Sequence, residues 1–338
     1  MLLASSSIIL RHLSSQGRLI LSGDTEQLPP ISCVRNAVLQ LHRIHGSILD
    51  CFIPPHGPKP PNVIQLTENF RLNPDLSDFI STIYPQPLRS QKLQSRELAS
   101  LLASLSVYNT ANYPLEPLTL INAQYFLITL SRVITEENEQ VQDLRSPEIK
   151  LSPATNSATS RWASLTLMKL NSHSRQAKCC TYEAQVELEV ELAVSLVVLL
   201  KQCAPHYSIF VVTPHRFQRE SVKRRIRSIA SNISPSDIVI ETVERLQGSE
   251  ADFVICLFSS LHPSSSHFSF LLERRRLNVA ISRTKMVSIV ISSDEVLKPT
   301  SQILVDEGLL KGFTFLKAYE KRAWTWDFLP KSRLLSYQ

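Results

Sequence analysis

An α/β fold is predicted, a parallel sheet flanked by helices, and three observations carry the prediction. From Tyr182 onward, short apolar runs alternate with helical segments: Ile209-Phe-Val-Val212, Ile238-Val-Ile240, Phe253-Val-Ile-Cys-Leu-Phe258 and Val287-Ser-Ile-Val-Ile291. Buried parallel strands read as near-continuous apolar runs, and strand–helix alternation implies crossovers over both faces of one sheet. Polar loops rich in Gly, Thr and Arg follow or precede these runs, and open parallel sheets bind ligands at the C-terminal ends of their strands. The composition is globular: 338 residues, 43% hydrophobic and 20% charged, enough for one large or two small domains and too apolar for a wholly disordered chain.

Taken in order, Met1 to about Pro87 holds two apolar runs with sharp turns after them. Arg18-Leu-Ile-Leu-Ser22 precedes Gly23-Asp24, and Val63-Ile-Gln-Leu66 precedes Thr67-Glu-Asn-Phe-Arg71; both are read as buried parallel strands. Five prolines between Ile53 and Pro61 mark a loop. From Gln86 to Lys178 the signal weakens. Leu118-Thr-Leu-Ile121 is read as a short strand, and Ser146–Gln176, rich in Ser, Asn and Thr, as a flexible insertion. Tyr182–Lys201 reads as a long helix with acids at one end and a dense apolar remainder. A basic helix over about Phe217–Ile229 follows the 209–212 strand, with Phe217, Ile226 and Ile229 as its buried side. A further helix around Leu277 leads into Val287–Ile291. The stretch beyond Glu320 is read as a peripheral tail.

Composition narrows the function classes. Thirty-six Lys and Arg against 30 Asp and Glu leave a net charge of +6, which permits a polyanionic partner without demanding one. Seven Gly do not suffice for a full set of Gly-rich phosphate loops. None of the six Cys forms a Cys-x-x-Cys pair, so neither a zinc site nor a disulfide framework is expected, and the metal reading is none. No apolar run approaches 18 residues, so no membrane partner is expected. The acid-free stretch Met1–Gly23 carries Arg11 and Arg18. A transit peptide there competes with a helix feeding a core strand, and the second reading is preferred.

Five loops carry residues suited to anionic ligands. Gly23-Asp24-Thr-Glu-Gln27-Leu-Pro-Pro30 offers a turn and an amide for a phosphate or water. Arg71 stands shortly after a strand, where a cation can clamp a transferring phosphoryl group. Thr213-Pro214-His215-Arg216 joins a strand to a helix whose cations are Arg216, Arg219, Lys223, Arg224, Arg225 and Arg227, against the single acid Glu220. Such a helix suits nucleic acid and equally a solvated surface. Thr242 opens a loop in which Gly248 allows close backbone approach and Glu250 can accept from a ribose hydroxyl. Arg283 ends a helix just before a strand. Each loop alone is as well explained by a turn or a surface salt bridge.

Together and in this order, the loops resemble the later motifs of superfamily 1 helicases with RecA-like domains, in the branch that includes the nonsense-mediated decay helicase and the Okazaki-fragment helicase-nuclease. The family patterns G-D-x-x-Q-L-P-P, L-x-x-N-[YF]-R, V-[IV]-T-P-Y-x-x-Q, [ST]-V-x-x-[FL]-Q-G-x-E-x-D and R-x-x-V-A-[LI]-[ST]-R-[AT]-K find counterparts at 23–30, 66–71, 211–218, 242–252 and 276–285. Tyr182-Glu183-Ala184 is similar to the family's opening of the long helix. The resemblance implies a RecA-like parallel sheet flanked by helices, with a complete second RecA-like domain over 179–319. It implies a remnant of the first over 1–85, a linker and flexible insertion over 86–178, and a tail over 320–338.

The resemblance also assigns roles. Gln27, Arg71 and Arg283 form the catalytic set, Gln27 sensing the γ-phosphate and the two arginines acting as fingers. Gly23, Asp24, Gly248 and Glu250 line the nucleotide, and Thr213, Pro214, Arg216 and Thr242 contact the nucleic acid. ATP and Mg²⁺ are the family's cofactors, and single-stranded RNA or DNA is its partner. His215 stands where the family has Tyr. No Gly in the sequence begins G-K-[ST], and the two Asp-Glu pairs, at 294–295 and 306–307, follow the last motif. The chain is therefore expected to start just after the magnesium-binding motif, to need a separate N-terminal half as partner, to bind ATP weakly, and to hydrolyse it negligibly alone. Residues 1–85 are expected to be unstable alone, for want of central strands. A non-catalytic nucleic-acid- or partner-binding module and a decaying gene copy remain as alternatives. Nucleus or cytoplasm is favoured over mitochondrion. The Trp324, Trp326 and Phe328 cluster is read as packing rather than docking, and Cys179-Cys180 as an ordinary buried pair.

Overall fold

A computed structural model of the chain describes residues 8–9, 11–29, 47–53, 60–92, 99, 101–102, 104–107, 114–143, 162–170, 182–229, 237–260, 265–301 and 303–328. They fall into two compact units, 1–67 and 68–338. Pro30, Cys179, Cys180 and most of Ser146–Gln176 lie outside the described residues.

In the first unit α1 (Ile48–Phe52) is capped by Ser47, whose Oγ accepts from the Leu49 amide at 3.3 Å. Neither Arg18–Ser22 nor Val63–Leu66 forms a strand, which corrects the reading of both. A strand exists only through a neighbour's N–H and C=O groups. Without one among the described residues, Ile20, Ile64 and Leu66 are 91, 84 and 83% exposed.

The second unit runs β1 (Glu68–Asn69), α2 (Pro74–Ser81), β2 (Arg89–Ser90), α3 (Pro117–Asp143), β3 (Trp162–Leu170), α4 (Tyr182–Cys203), β4 (Ile209–Thr213) and α5 (Arg216–Ile229). It continues with β5 (Ile238–Thr242), β6 (Ala251–Phe258), α6 (Ser265–Leu271), α7 (Arg274–Ile281), β7 (Thr284–Ser293), α8 (Asp294–Leu297), α9 (Glu307–Arg322) and β8 (Ala323–Asp327). Six strands form one all-parallel sheet in the order β5-β4-β6-β7-β3-β8, and β1 and β2 make a separate parallel pair. This is the predicted α/β architecture, a RecA-like parallel sheet flanked by helices.

Strand periodicity divides the core. Ile209 and Val211, Phe253, Ile255 and Leu257, and Val287, Ile289 and Ile291 face a core shared with α3, α4 and α5. The intervening Val254, Cys256, Phe258 and Val290 are buried outside that core. Beyond it also lie Phe79 of α2 and Phe315 and Tyr319 of α9. The Phe79 ring lies tilted 4.6 Å from Phe315 and meets Tyr319 edge-on at 5.2 Å. The Tyr319 hydroxyl donates to Thr166 O (3.0 Å) and Ser288 O (2.9 Å), tying α9 to β3 and β7. Helix α4 buries residues on most of its circumference, because the sheet, α3 and α5 all pack on it. At Gly312 a Cβ would fall on the Leu272 carbonyl, so only glycine lets α9 approach so closely.

Three expectations about the weaker regions are overturned. Leu118–Ile121 is the start of helix α3, not a strand. Its apolar residues Leu120, Ala123, Phe126, Leu127, Leu130 and Ile134 recur at helical spacing and are buried. Pro117–Thr135 is also long and apolar enough to cross a membrane by length and composition, and half of it is buried in the core. The Ser-rich insertion contains β3, which sits between β7 and β8. Its Ser164 and Thr166 hid it, yet both are buried, and Thr166 Oγ1 donates to Ser288 O at 3.0 Å. The tail contributes the edge strand β8, whose Trp324 and Trp326 rings lie 5.5 and 6.3 Å from Phe126.

Candidate functional site

Two clusters occupy opposite ends of the sheet. At the N-terminal ends of β6 and β7 stands Arg283, 2% exposed. Helix α7 ends at Ile281, so Arg283 sits where the chain turns into β7. Its Nε donates to Val279 O (3.1 Å) and its guanidinium to Ser249 O (3.3 Å) and Ser282 Oγ (3.5 Å). The Ala251 amide donates to Arg283 O at 3.0 Å. Arg283 is thus joined to the Gly248–Glu250 loop. Gly248 has φ +90°, a left-handed conformation, with open space where a Cβ would stand. Glu250 is exposed and pairs with Lys285 Nζ at 2.9 Å.

The Arg71 segment is tied to the same end. Asn69 Oδ1 accepts from the amides of Arg71 and Leu72, both at 2.9 Å, which sets the turn after β1. Asn73 caps α2 and also donates to Met286 O (2.9 Å) and Ser164 Oγ (2.8 Å) at the start of β7 and in β3. Lys92 Nζ donates to Lys285 O at 2.6 Å. Burial holds Lys92 below the usual lysine range. Asp252 and Glu250 oppose that shift and Lys285 adds to it. Sequence reasoning missed Lys92, which lies in the weak-signal region, and passed over Lys285 inside its own motif.

At the C-terminal ends, Thr213 and Thr242 are register partners across β4 and β5. Thr213 is fully buried, Thr242 half-buried, Pro214 buried and Arg216 exposed. The two ends of β6 lie about 25 Å apart by strand rise. So, within the second unit, the sheet separates Gly248, Glu250 and Arg283 from Thr213, Thr242 and Arg216. The expectation that all ligand residues gather at C-terminal strand ends is corrected: Glu250 and Arg283 enter their strands rather than leave them.

Helix α5 does not present all its cations. Arg219 and Lys223 pair with Glu241, both at 2.9 Å, and Arg225 forms two 2.7 Å bonds with Glu191 of α4. Arg216, Arg224 and Arg227 remain exposed. Beneath Pro214, the Glu189 carboxylate is 1% exposed and accepts from Gln185, Gln218 and Ser259, binding α4, α5 and the end of β6 together. His215 stacks 5.0 Å from Phe270, over which the Arg276 guanidinium lies at 3.6 Å. Burial pushes the Tyr182 phenol up, and Glu189 and Glu183 push the same way.

The remaining site residues belong to the first unit. Asp24 Oδ1 accepts from the Glu26 amide (2.9 Å) and Oδ2 from Gln27 Nε2 (2.8 Å), so Asp24 orients Gln27. Gly23 leaves room for the Leu49 side chain, and a Cβ there would meet it.

This architecture, a parallel sheet with motif-bearing loops at both ends, defines a RecA-like helicase-type domain. The profile of a family described as an AAA domain matches residues 47–295. The chain belongs to that family. It is 26% identical over 292 residues to the DNA polymerase alpha-associated DNA helicase A of Saccharomyces cerevisiae, covering 86% of this chain and 36% of the relative. It is 35% identical over 129 residues to Helicase sen1 of Schizosaccharomyces pombe, and 32% identical over 96 residues to RNA helicase Mov10l1 of Mus musculus. Those matches cover 36 and 26% of this chain and 8% of each relative. The chain thus spans about a third of the first relative and a small part of the others. With these relatives, it is a superfamily 1 helicase C-terminal-type domain.

Proposed function

We propose that this chain supplies the second RecA-like half of an ATP-dependent superfamily 1 helicase acting on single-stranded RNA or DNA, in the branch of the nonsense-mediated decay helicase and the Okazaki-fragment helicase-nuclease. The observation that carries the reading is the division of the sheet. Arg283, Glu250 and the Arg71 ribbon share one end, and Thr213, Thr242 and Arg216 share the other. A motor needs both sites on one rigid body, so that a change at nucleotide is felt at the strand.

The residues fit ATP only as a half-site. Arg71 and Arg283 can offset phosphate charge, and Glu250 can accept from a ribose hydroxyl, but Mg²⁺ and the phosphate cradle need a P-loop and a carboxylate pair. The 338 residues contain no G-x-x-x-x-G-K-[ST]. A P-loop-bearing half, in the same polypeptide or as a partner, therefore has to complete the site, and Arg283 has to leave Ser249 to reach it. The test is phosphate release from ATP. The chain alone should give background rates. Adding a separately expressed P-loop-bearing half from a relative should restore strand-stimulated turnover, and Arg283→Ala should remove it.

A second reading, a non-catalytic nucleic-acid-binding module, draws support from the inward-turned Arg283. It requires salt-dependent single-strand binding that ATP does not change and no turnover with any added half.

A further inference from the structure

Phe217 is used by neither reading. Its place in α5 suggested burial, yet it is 53% exposed in the first turn of the helix. A single exposed phenylalanine needs no explanation. Here three neighbours give it one. Its ring lies 6.5 Å from that of Tyr182, the planes 35° apart, so two aromatic surfaces sit side by side. Exposed Arg216 precedes it, and exposed Arg224 follows two turns later on the same helix face. Thr213 ends β4 just before this turn, with Thr242 as its register partner in β5.

Across from it, helix α4 presents carboxylates among apolar side chains. Phe217, Ser221 and Arg224 line one side of a groove of about 820 Å³, and Glu183 and Glu187 of α4 line another. Both carboxylates are exposed and repel phosphate. A strand approaching from the Arg216 side therefore keeps its backbone on the arginines, and only its uncharged bases can meet the aromatic ring.

We infer that Phe217 and Tyr182 form a stacking step for one unpaired nucleobase of a single strand whose phosphates lie on Arg216 and Arg224. This inference rests on the single-strand reading above and adds to it a base-binding subsite. Every base has a π-face, so the step tolerates any sequence.

The test measures binding of the full chain to short oligo(dT) and oligo(rU) carrying one 2-aminopurine, over a range of salt. Phe217→Ala should weaken binding about 5- to 150-fold and remove the 2-aminopurine quench, with the slope of log K against log salt unchanged. Phe217→Trp should keep both affinity and quench. Arg216→Ala should instead lower the slope by about 0.7, one single-strand phosphate contact. Unchanged affinity in Phe217→Ala overturns the stacking step and leaves the single-strand reading standing, as does a weakening that comes with a reduced slope. Absence of salt-dependent binding by the unmodified chain overturns both.

Discussion

The Arg225–Glu191 pair separates the structural cations of α5 from those free to meet a polyanion. Arg225 Nε and a terminal nitrogen reach the two Glu191 oxygens at 2.7 Å each, and the same guanidinium donates to Pro114 O at 2.5 Å. The Glu116 amide donates to Glu191 as well, at 2.7 Å, so one ion pair joins α4, α5 and the entry to α3. The side chains are 30 and 15% exposed. Exposed pairs contribute about 0.2–1 kcal/mol and breaking buried ones costs about 3–5 kcal/mol, so a half-buried bidentate pair should show a coupling energy of about 1.5–2 kcal/mol. In a domain of this size that is a shift in Tm of roughly 3–8 °C. A double-mutant cycle of Arg225→Ala and Glu191→Ala, read by urea denaturation, isolates the pair from its other hydrogen bonds.

The pH dependence has a definite sign. Burial alone would raise Glu191, but the Arg225 hydrogen bonds, the Glu116 amide and the Arg225 charge outweigh it and hold the carboxyl below its usual range. A depressed folded-state value gives stability that is present above the unfolded carboxylate value near 4.3 and is lost as pH falls through the folded one. The coupling should therefore be full at neutral pH and fade below about pH 4. Arg225→Ala should leave the salt slope of single-strand binding unchanged. A coupling under about 0.3 kcal/mol, or a slope that falls in Arg225→Ala, would refute the assignment of this arginine to structure.

Three other outcomes follow from the core. Tyr319→Phe removes the donor to Thr166 O and Ser288 O and should cost about 1–3 kcal/mol in urea denaturation, with no change in secondary structure by circular dichroism. Gly312→Ala drives a methyl onto the Leu272 carbonyl and should cost about 1–3 kcal/mol or more, visible as a lowered Tm. Burial pushes the Cys203 thiol up to about 12 and raises Cys256 further, so at pH 8 neither should react with a thiol reagent until the chain unfolds, as peptide mapping would show.

Legibility in the sequence followed how local each signal is. Strands β4 to β7 and helices α4, α5 and α7 were readable because each is a dense apolar run or a clear 3.6-residue pattern bounded by polar turns. Strand β3 was not, because Ser164 and Thr166 made Trp162–Leu170 look polar. What makes it a strand is burial between β7 and β8, with its Thr166 hydroxyl bonded to a backbone carbonyl. β8 was hidden likewise, since Ala323–Asp327 gains strand character only from β3. The order of motifs singled out Arg283, Glu250 and Thr213 by residue as candidates. It gave no hint that Arg219, Lys223 and Arg225 are held by Glu241 and Glu191, because both acids are distant in sequence.

The failures in the first unit make the same point from the other side. Arg18–Ser22 and Val63–Leu66 have the apolar content of strands, and by propensity are no worse than Ile238–Ile240. The difference lies in partners. Ile238–Thr242 has β4 beside it along its whole length, so the backbone groups facing β4 are paired and Ile240 is buried. Ile20 and Ile64 have no such neighbour among the described residues, and water is their surroundings. Supplying strands alongside them should bury these side chains at about 25 cal/mol per Å². Hydrogen exchange tests this directly. Amides of 18–22, Ile64 and Leu66 should exchange at nearly unprotected rates in the chain alone and become protected when a P-loop-bearing half restores ATP turnover. Protection already present in the isolated chain would show that these segments find partners within it and need none from outside.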